Sequence, residues 1–270
     1  MIAKLHIQTN CANGKTSLGQ TYFTPPFKVA NITEDKRSPW LHLMIMNSSP
    51  GVLDGDDYEI KIDLNENSFL QLHTQSYQRL FTMKNGATQS TEIHLQKGSS
   101  LIYLPHPCSP HENSSFIAKN RIYLDDQCNL IWGEVLTCGR KLNGEIFQFS
   151  KYHTITEIFL KNKLIIKENL LIQPSLVDPK KMGQLEGFTH QASLICIKGS
   201  AVVNECLDEV YDFLSQQTDI LFGVTTTAGD GMMIRILGHG AEQLHQHLAS
   251  VSFLIQQHKS SQPVTTIHAS

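Results

Sequence analysis

No stretch of this chain approaches the roughly 20 consecutive apolar residues that a membrane-crossing helix needs. The N-terminus, MIAKLHIQTNCANG, also lacks the apolar run of a secretory signal. Charge of one sign is missing as well: 22 basic residues face 25 acidic ones, for a net charge of -3. No basic block stands out, which argues against a nucleic-acid partner. The six cysteines are irregularly spaced and form no C-x-x-C pair in 270 residues, so a disulfide framework is not expected and free thiols are. The expectation is a cytoplasmic protein with no membrane partner. Tryptophan is scarce too, with only two, which weighs against a sugar-binding cleft built on aromatic platforms.

Histidine is plentiful, with 13. Imidazole suits nickel, zinc and copper, although most histidines are ordinary packed or surface residues. Apolar residues make up 40%, enough for a sizeable core.

The first two-thirds of the chain alternates apolar and polar residues with period two. Ile60, Ile62 and Leu64 alternate with charges in YEIKIDL, and Leu70 and Leu72 alternate in FLQLHTQ. Similar runs occur in SSLIYL, RIYL, NLIWGEVL and EIFLKNKLIIKENLLI, the last with a turn at Asn162-Lys163. Such alternation marks half-buried strands of antiparallel or solenoidal sheet. Turn residues separate the runs, as at Asn85-Gly86 and Lys97-Gly98. Helical spacing occurs twice, over Glu205 to Gln217 with Asn204 as cap and over Ala241 to Gln257. Residues 1-258 are expected to form one mainly β domain with two α-helices near its C-terminal end, followed by a flexible tail at 259-270.

Catalytic signatures fail on inspection. Asn13-Gly14-Lys15-Thr16 resembles the end of a phosphate-binding loop, but Thr9 stands where that motif requires glycine. Gly238-His239-Gly240 precedes a helix without the third glycine of a dinucleotide turn.

Three groups could bind metal. His106, Cys108 and His111 crowd a proline-rich stretch, which equally reads as a rigid loop. Asp54, Asp56 and Asp57 lie in the turn-rich S-P-G-V-L-D-G-D-D, where Asp also serves to hold turns by accepting backbone N–H bonds. Glu134 and Glu145 sit within apolar runs, with Arg140 as a partner for either. An isolated buried carboxylate is costly, so each is a structural ion pair or part of a polar channel. His42 and His73 pose the same choice.

Several passages in order resemble the urease accessory family UreD/UreH. They are YFTPPFK at Tyr22 to Lys28, S-P-G-V-L-D-G-D at Ser49 to Asp56, LHTQSYQRLF at Leu72 to Phe81, the proline-rich stretch from Leu104 to Phe116, GRKLNGEIFQF at Gly139 to Phe149, and the ending MMIRILGHGAEQLHQHL. Val52 and Arg79 replace a more usual Gly and Lys. The resemblance implies a β-helix-like stack of strands with no catalytic activity and no permanently bound cofactor. It implies a scaffold that carries nickel transiently toward the urease apoprotein, in complex with a UreF-like helical adaptor and a UreG-like GTPase. A homodimer within that complex is compatible with it. Asp56, Glu134 and Glu145 are the expected stops on the nickel path, with His106, Cys108 and His111 as further candidates. A carrier must release its ion, which favours weak, scattered ligands over a dense cage. The competing expectations are a β-rich carbohydrate-active hydrolase using paired carboxylates, and a plain nickel or zinc store.

Overall fold

A computed structural model describes residues 1–258, so the expected tail at 259–270 lies outside the described residues. The chain is mainly β. It runs through β1 (Ile2–Ala12), β2 (Lys15–Phe23), β3 (Phe27–Asn31), β4 (Trp40–Asn47), β5 (Asp57–Leu64) and β6 (Phe69–Thr74). There follow β7 (Gln78–Leu80), β8 (Ala87–Leu95), β9 (Ser100–Tyr103), β10 (Cys108–Pro110), β11 (Ser115–Leu124) and β12 (Asn129–Thr137). After β13 (Lys151–Leu160), β14 (Lys163–Ile172) and β15 (His190–Ile197), helix α1 (Ser200–Ser215) leads to β16 (Leu221–Thr227), β17 (Gly231–Gly238) and α2 (Ala241–Gln257).

From β4 to β13 the chain alternates between two sheets. The first has the order β14-β13-β11-β8-β5-β1-β2; the second runs β16-β17-β15-β12-β9-β6-β4-β3. Each return lays a strand parallel to, and in register with, its predecessor in the same sheet. This stacking is compatible with the β-helix-like expectation. Register matters because identical rungs face inward together. Ile7, Ile62, Ile93, Ile122 and Ile158 form one ladder, each no more than 1% exposed. Leu70, Leu101 and Leu130 form the matching ladder across the core. Branched side chains stacked this way bury both walls of the interior, and each contributes roughly 1.5–3 kcal/mol over its exposed state.

Short strands β7 and β10 pair in parallel at a third corner, and Cys108 also reaches Leu136 of β12. The stretch expected as a proline-rich loop is thus, at Cys108–Pro110, a buried strand. The corner continues through an isolated bridge from Val52 to Leu80. Gly51 is required there, because an added Cβ would meet the Arg79 carbonyl oxygen at 2.4 Å. Val52 itself is buried in the corner.

Antiparallel β15, β17 and β16 extend the second sheet. Both helices cover its outer face, where Val210 and Leu214 of α1 and Leu244 and Leu248 of α2 share a second core with Ile131 and Val135 of β12. Helix α2 has its expected bounds. Helix α1 begins a turn earlier than expected, after Gly199, and Asn204 lies inside it, exposed, instead of capping it. Val202 and Val203 are buried with Cys206, so the apolar stripe starts before the segment taken from spacing. The β13–β14 turn is centred on Lys161-Asn162, both at positive φ, one residue before the expected pair. Among the described residues no helix is long and apolar enough to cross a membrane.

Candidate functional site

The isoleucine ladder gives way to polar rungs toward one end of the stack. Ile60, Thr91, Asn120 and Thr156 are register partners, and the next inward rung is Tyr58, Gln89, Ala118 and Thr154. Opposite them β12 points Leu130, Trp132, Glu134 and Leu136 inward by simple alternation. Polar side chains are shorter or less closely packed than isoleucine, and a cavity of ≈ 140 Å³ opens between the walls. That is room for several water molecules or a hydrated ion.

Glu134 is the one carboxylate among the described residues lining this cavity, and neither lysine nor arginine lines it. Its Oε1 accepts hydrogen bonds from Asn120 Nδ2 and Trp132 Nε1, both at 3.1 Å, and from Thr156 Oγ1 at 3.4 Å. All three donors are neutral. Burial dominates and pushes the Glu134 pKa upward. The expected partner Arg140 is elsewhere. Asn120 Nδ2 also donates to Thr156 Oγ1 at 3.0 Å, and Gln78 Nε2 donates to Gln89 Oε1 at 3.0 Å. A polar seam therefore crosses an otherwise apolar interior.

Cys108 and His106 line the same cavity. Burial pushes the Cys108 thiol up, so it is protonated near neutral pH and is not a ready thiolate ligand. Tyr58 is pushed up to about 12, chiefly by burial. Thr74 Oγ1 lies 2.9 Å from His106 Nδ1. His111 is not part of the lining; it packs edge-on against Phe81 at 4.8 Å.

The other acidic candidates are committed to structure. Glu145 is 9% exposed and pairs through both oxygens with Arg140, while its Oε2 also accepts the Glu112 N–H at 3.2 Å. The Arg140 guanidinium holds its carboxyl below the ordinary range. Asp56 is buried, lies 3.3 Å from the N-terminal ammonium, and accepts from the Leu53 N–H at 2.9 Å and the Tyr58 hydroxyl at 3.2 Å. Asp54 Oδ1 accepts the backbone N–H groups of Lys84, Asn85 and Gly86. Asp57 accepts from Thr88 at 2.6 Å. The three aspartates thus act separately, and neither Asp56 nor Glu145 faces the cavity. Among the described residues no three His, Cys, Asp or Glu side chains gather closely enough to hold a metal ion. All six cysteines are free thiols.

Sequence reasoning missed Asn120, Gln89, Thr154 and Thr156. The available signal was inward parity: FIAKN and YHTIT place polar residues where alternation demands apolar ones. Comparison with known proteins completes the picture. The family model described as UreD urease accessory protein matches residues 1–268. A Flavobacterium johnsoniae protein named urease accessory protein UreD is 47% identical over 91% of this chain and 89% of its own length. Proteins of the same name from Acetivibrio thermocellus and Actinobacillus pleuropneumoniae are 34% and 36% identical, over 91% and 92% of this chain and 94% of each relative.

Proposed function

This chain belongs to the UreD urease accessory protein family, and from that premise we propose that it serves urease maturation as a non-catalytic scaffold that delivers nickel. It acts on the urease apoprotein in complex with a UreF-like helical adaptor and a UreG-like GTPase. Nickel is the cargo of this assembly and not a resident cofactor.

The observation that carries the delivery role is the polar cavity with Glu134 inside it. An anionic carboxylate without a cationic partner is expensive to bury. A hydrated divalent cation entering the cavity supplies the missing charge. A single carboxylate with neutral amide and hydroxyl neighbours holds such an ion weakly, so it can leave again. Asp56 and Glu145 already have cationic partners, which favours Glu134 as the stop on the path. A hydrolase pairing Glu134 with Glu145 is the less favoured reading, because Glu134 lines the cavity and Glu145 does not.

The test is co-expression of the full chain with its candidate partners and apo-urease, followed by affinity capture. Recovery of a complex containing a GTPase and a helical adaptor, able to load nickel into urease, is the expected result. A lone polypeptide that turns over a small organic compound, or nickel loading that proceeds equally well without this chain, overturns the reading.

A further inference from the structure

Four histidines form two stacked pairs beside the second sheet. His42 of β4 stacks on His73 of β6, with ring centroids 5.9 Å apart and planes 18° apart. His106, just beyond β9, stacks on His245 of α2 at 5.1 Å and 19°. His73 lies close enough to both His42 and His106 for their charges to oppose its protonation. His106 also lines the cavity that holds Glu134.

The hydrogen bonds leave ring lone pairs unused. A carbonyl oxygen can only accept, so His245 Nε2, 3.4 Å from the Leu104 oxygen, carries the proton and Nδ1 is free. Thr74 Oγ1 lies beside His106 Nδ1 and also accepts the His106 backbone N–H at 2.8 Å. In the tautomer that carries the proton on Nδ1, that proton goes to Thr74 and Nε2 is free. His73 Nε2 is buried and has no hydrogen-bond partner among the described residues. An imidazole tied to an oxygen on one side and open on the other is how metal-binding histidines are held.

Separation is also suitable. Two imidazoles sharing one metal at about 2.1 Å per bond place their ring centroids about 4.5–6.5 Å apart. Both stacked pairs fall in that range. Burial lowers the pKa of His42, His73 and His106, which keeps these rings neutral and able to ligate. Glu34 facing His42 and Glu242 facing His106 act in the opposite direction but more weakly. Glu242, which accepts from the Tyr77 hydroxyl at 3.4 Å, also adds negative charge near His106.

We propose that His106 and His245 together bind a borderline divalent cation beside the cavity, and that His73 and His42 are the outer stations of the same track. The identity of the ion rests on the delivery role. With two imidazoles and water completing the shell, each station holds the ion loosely enough to pass it inward toward Glu134.

The test is equilibrium dialysis of the full chain, free of any histidine tag, against nickel chloride near neutral pH. The double variant His106→Gln with His245→Gln is expected to lose about tenfold or more in the affinity of its tightest nickel site. The pair His42→Gln with His73→Gln is expected to lose a weaker site. The pair His94→Gln with His153→Gln, on the first sheet, is expected to bind as wild type does. X-ray absorption of the nickel-loaded chain should show imidazole scattering that the first double variant reduces. Equal binding by wild type and the His106/His245 variant, with unchanged circular dichroism, overturns the track. Should that occur while the assembled complex still loads urease, the track alone falls and the delivery role stands.

Discussion

Glu134 and Glu145 lie in neighbouring apolar runs, yet the fold treats them in opposite ways. Glu145 sits at a corner loop, where Arg140 and a backbone N–H complete its charge. Glu134 sits inside the stack, where only neutral donors reach it and burial raises its pKa. The contrast teaches that a buried carboxylate says nothing about role until its partners are known. A paired acid keeps its charge at lower cost, whereas one left without a countercharge detracts from stability.

The largest effect expected from this contrast follows Glu134→Gln. The amide keeps the shape and can still accept from Asn120 and Trp132, but it cannot offer charge to a cation. Urease activation in the co-expression system should fall several-fold. Stability should move the other way. In the unfolded chain Glu134 ionises near 4.5, and folding holds its proton to higher pH. The folded state therefore binds more protons above 4.5, and wild type loses stability relative to the variant as pH rises through the folded pKa. Thermal denaturation across acidic to neutral pH should show the variant melting at higher temperature near neutrality and alongside wild type below pH 4.5. Unchanged activation would remove Glu134 from the path.

Glu145→Gln should show the mirror image. Its folded pKa is depressed, so its contribution is present above 4.5 and is lost as pH falls through the folded value. Arg140 is 43% exposed, and water therefore recovers part of the loss. A fall in Tm of about 2–4 °C near neutral pH is expected, shrinking in acid. Activation per folded molecule should hold. A selective loss of activation at unchanged Tm would return Glu145 to the nickel path and erase the contrast.

Much of this was legible in the sequence. The inward isoleucines follow from period two, and α2 follows from helical spacing to the residue. The parallel stacking did not, because the spacing from Ile62 to Ile93, Ile122 and Ile158 is uneven and no repeat shows. Glu134 stood out as an acid in an apolar run, but Arg140 served it and Glu145 equally well on paper. Only the corner turn at Gly139 and the short helical turn after it bring Arg140 back onto Glu145. Asn120 and Thr156 meet Glu134 through pairing between distant strands, which no local pattern encodes. His245 was hidden for the same reason: QLHQHL reads as one face of a helix until α2 is laid across the sheet.

Asp54 tests how far the comparison extends to exposed acids. Its carboxylate accepts three successive backbone N–H groups and the Asn85 side-chain amide, which lowers its pKa, the Asn85 N–H most of all. These bonds fasten the turn ahead of β8 to the turn ahead of β5, where Gly55 N–H also donates to the Gly86 oxygen. Asp54→Ala exposes those N–H groups to water, which satisfies them, so the fall in Tm should be smaller than for Glu145→Gln. Asp54→Asn keeps an accepting oxygen and should recover most of it. The contribution is present above the ordinary 3.8 and disappears as pH falls through the lower folded value. Amide exchange at Gly86 should quicken in Asp54→Ala while exchange within β12 does not. If Asp54→Ala instead impairs activation with its Tm unchanged, this loop meets the cargo or a partner, and an acid saturated by backbone donors can no longer be taken as purely structural.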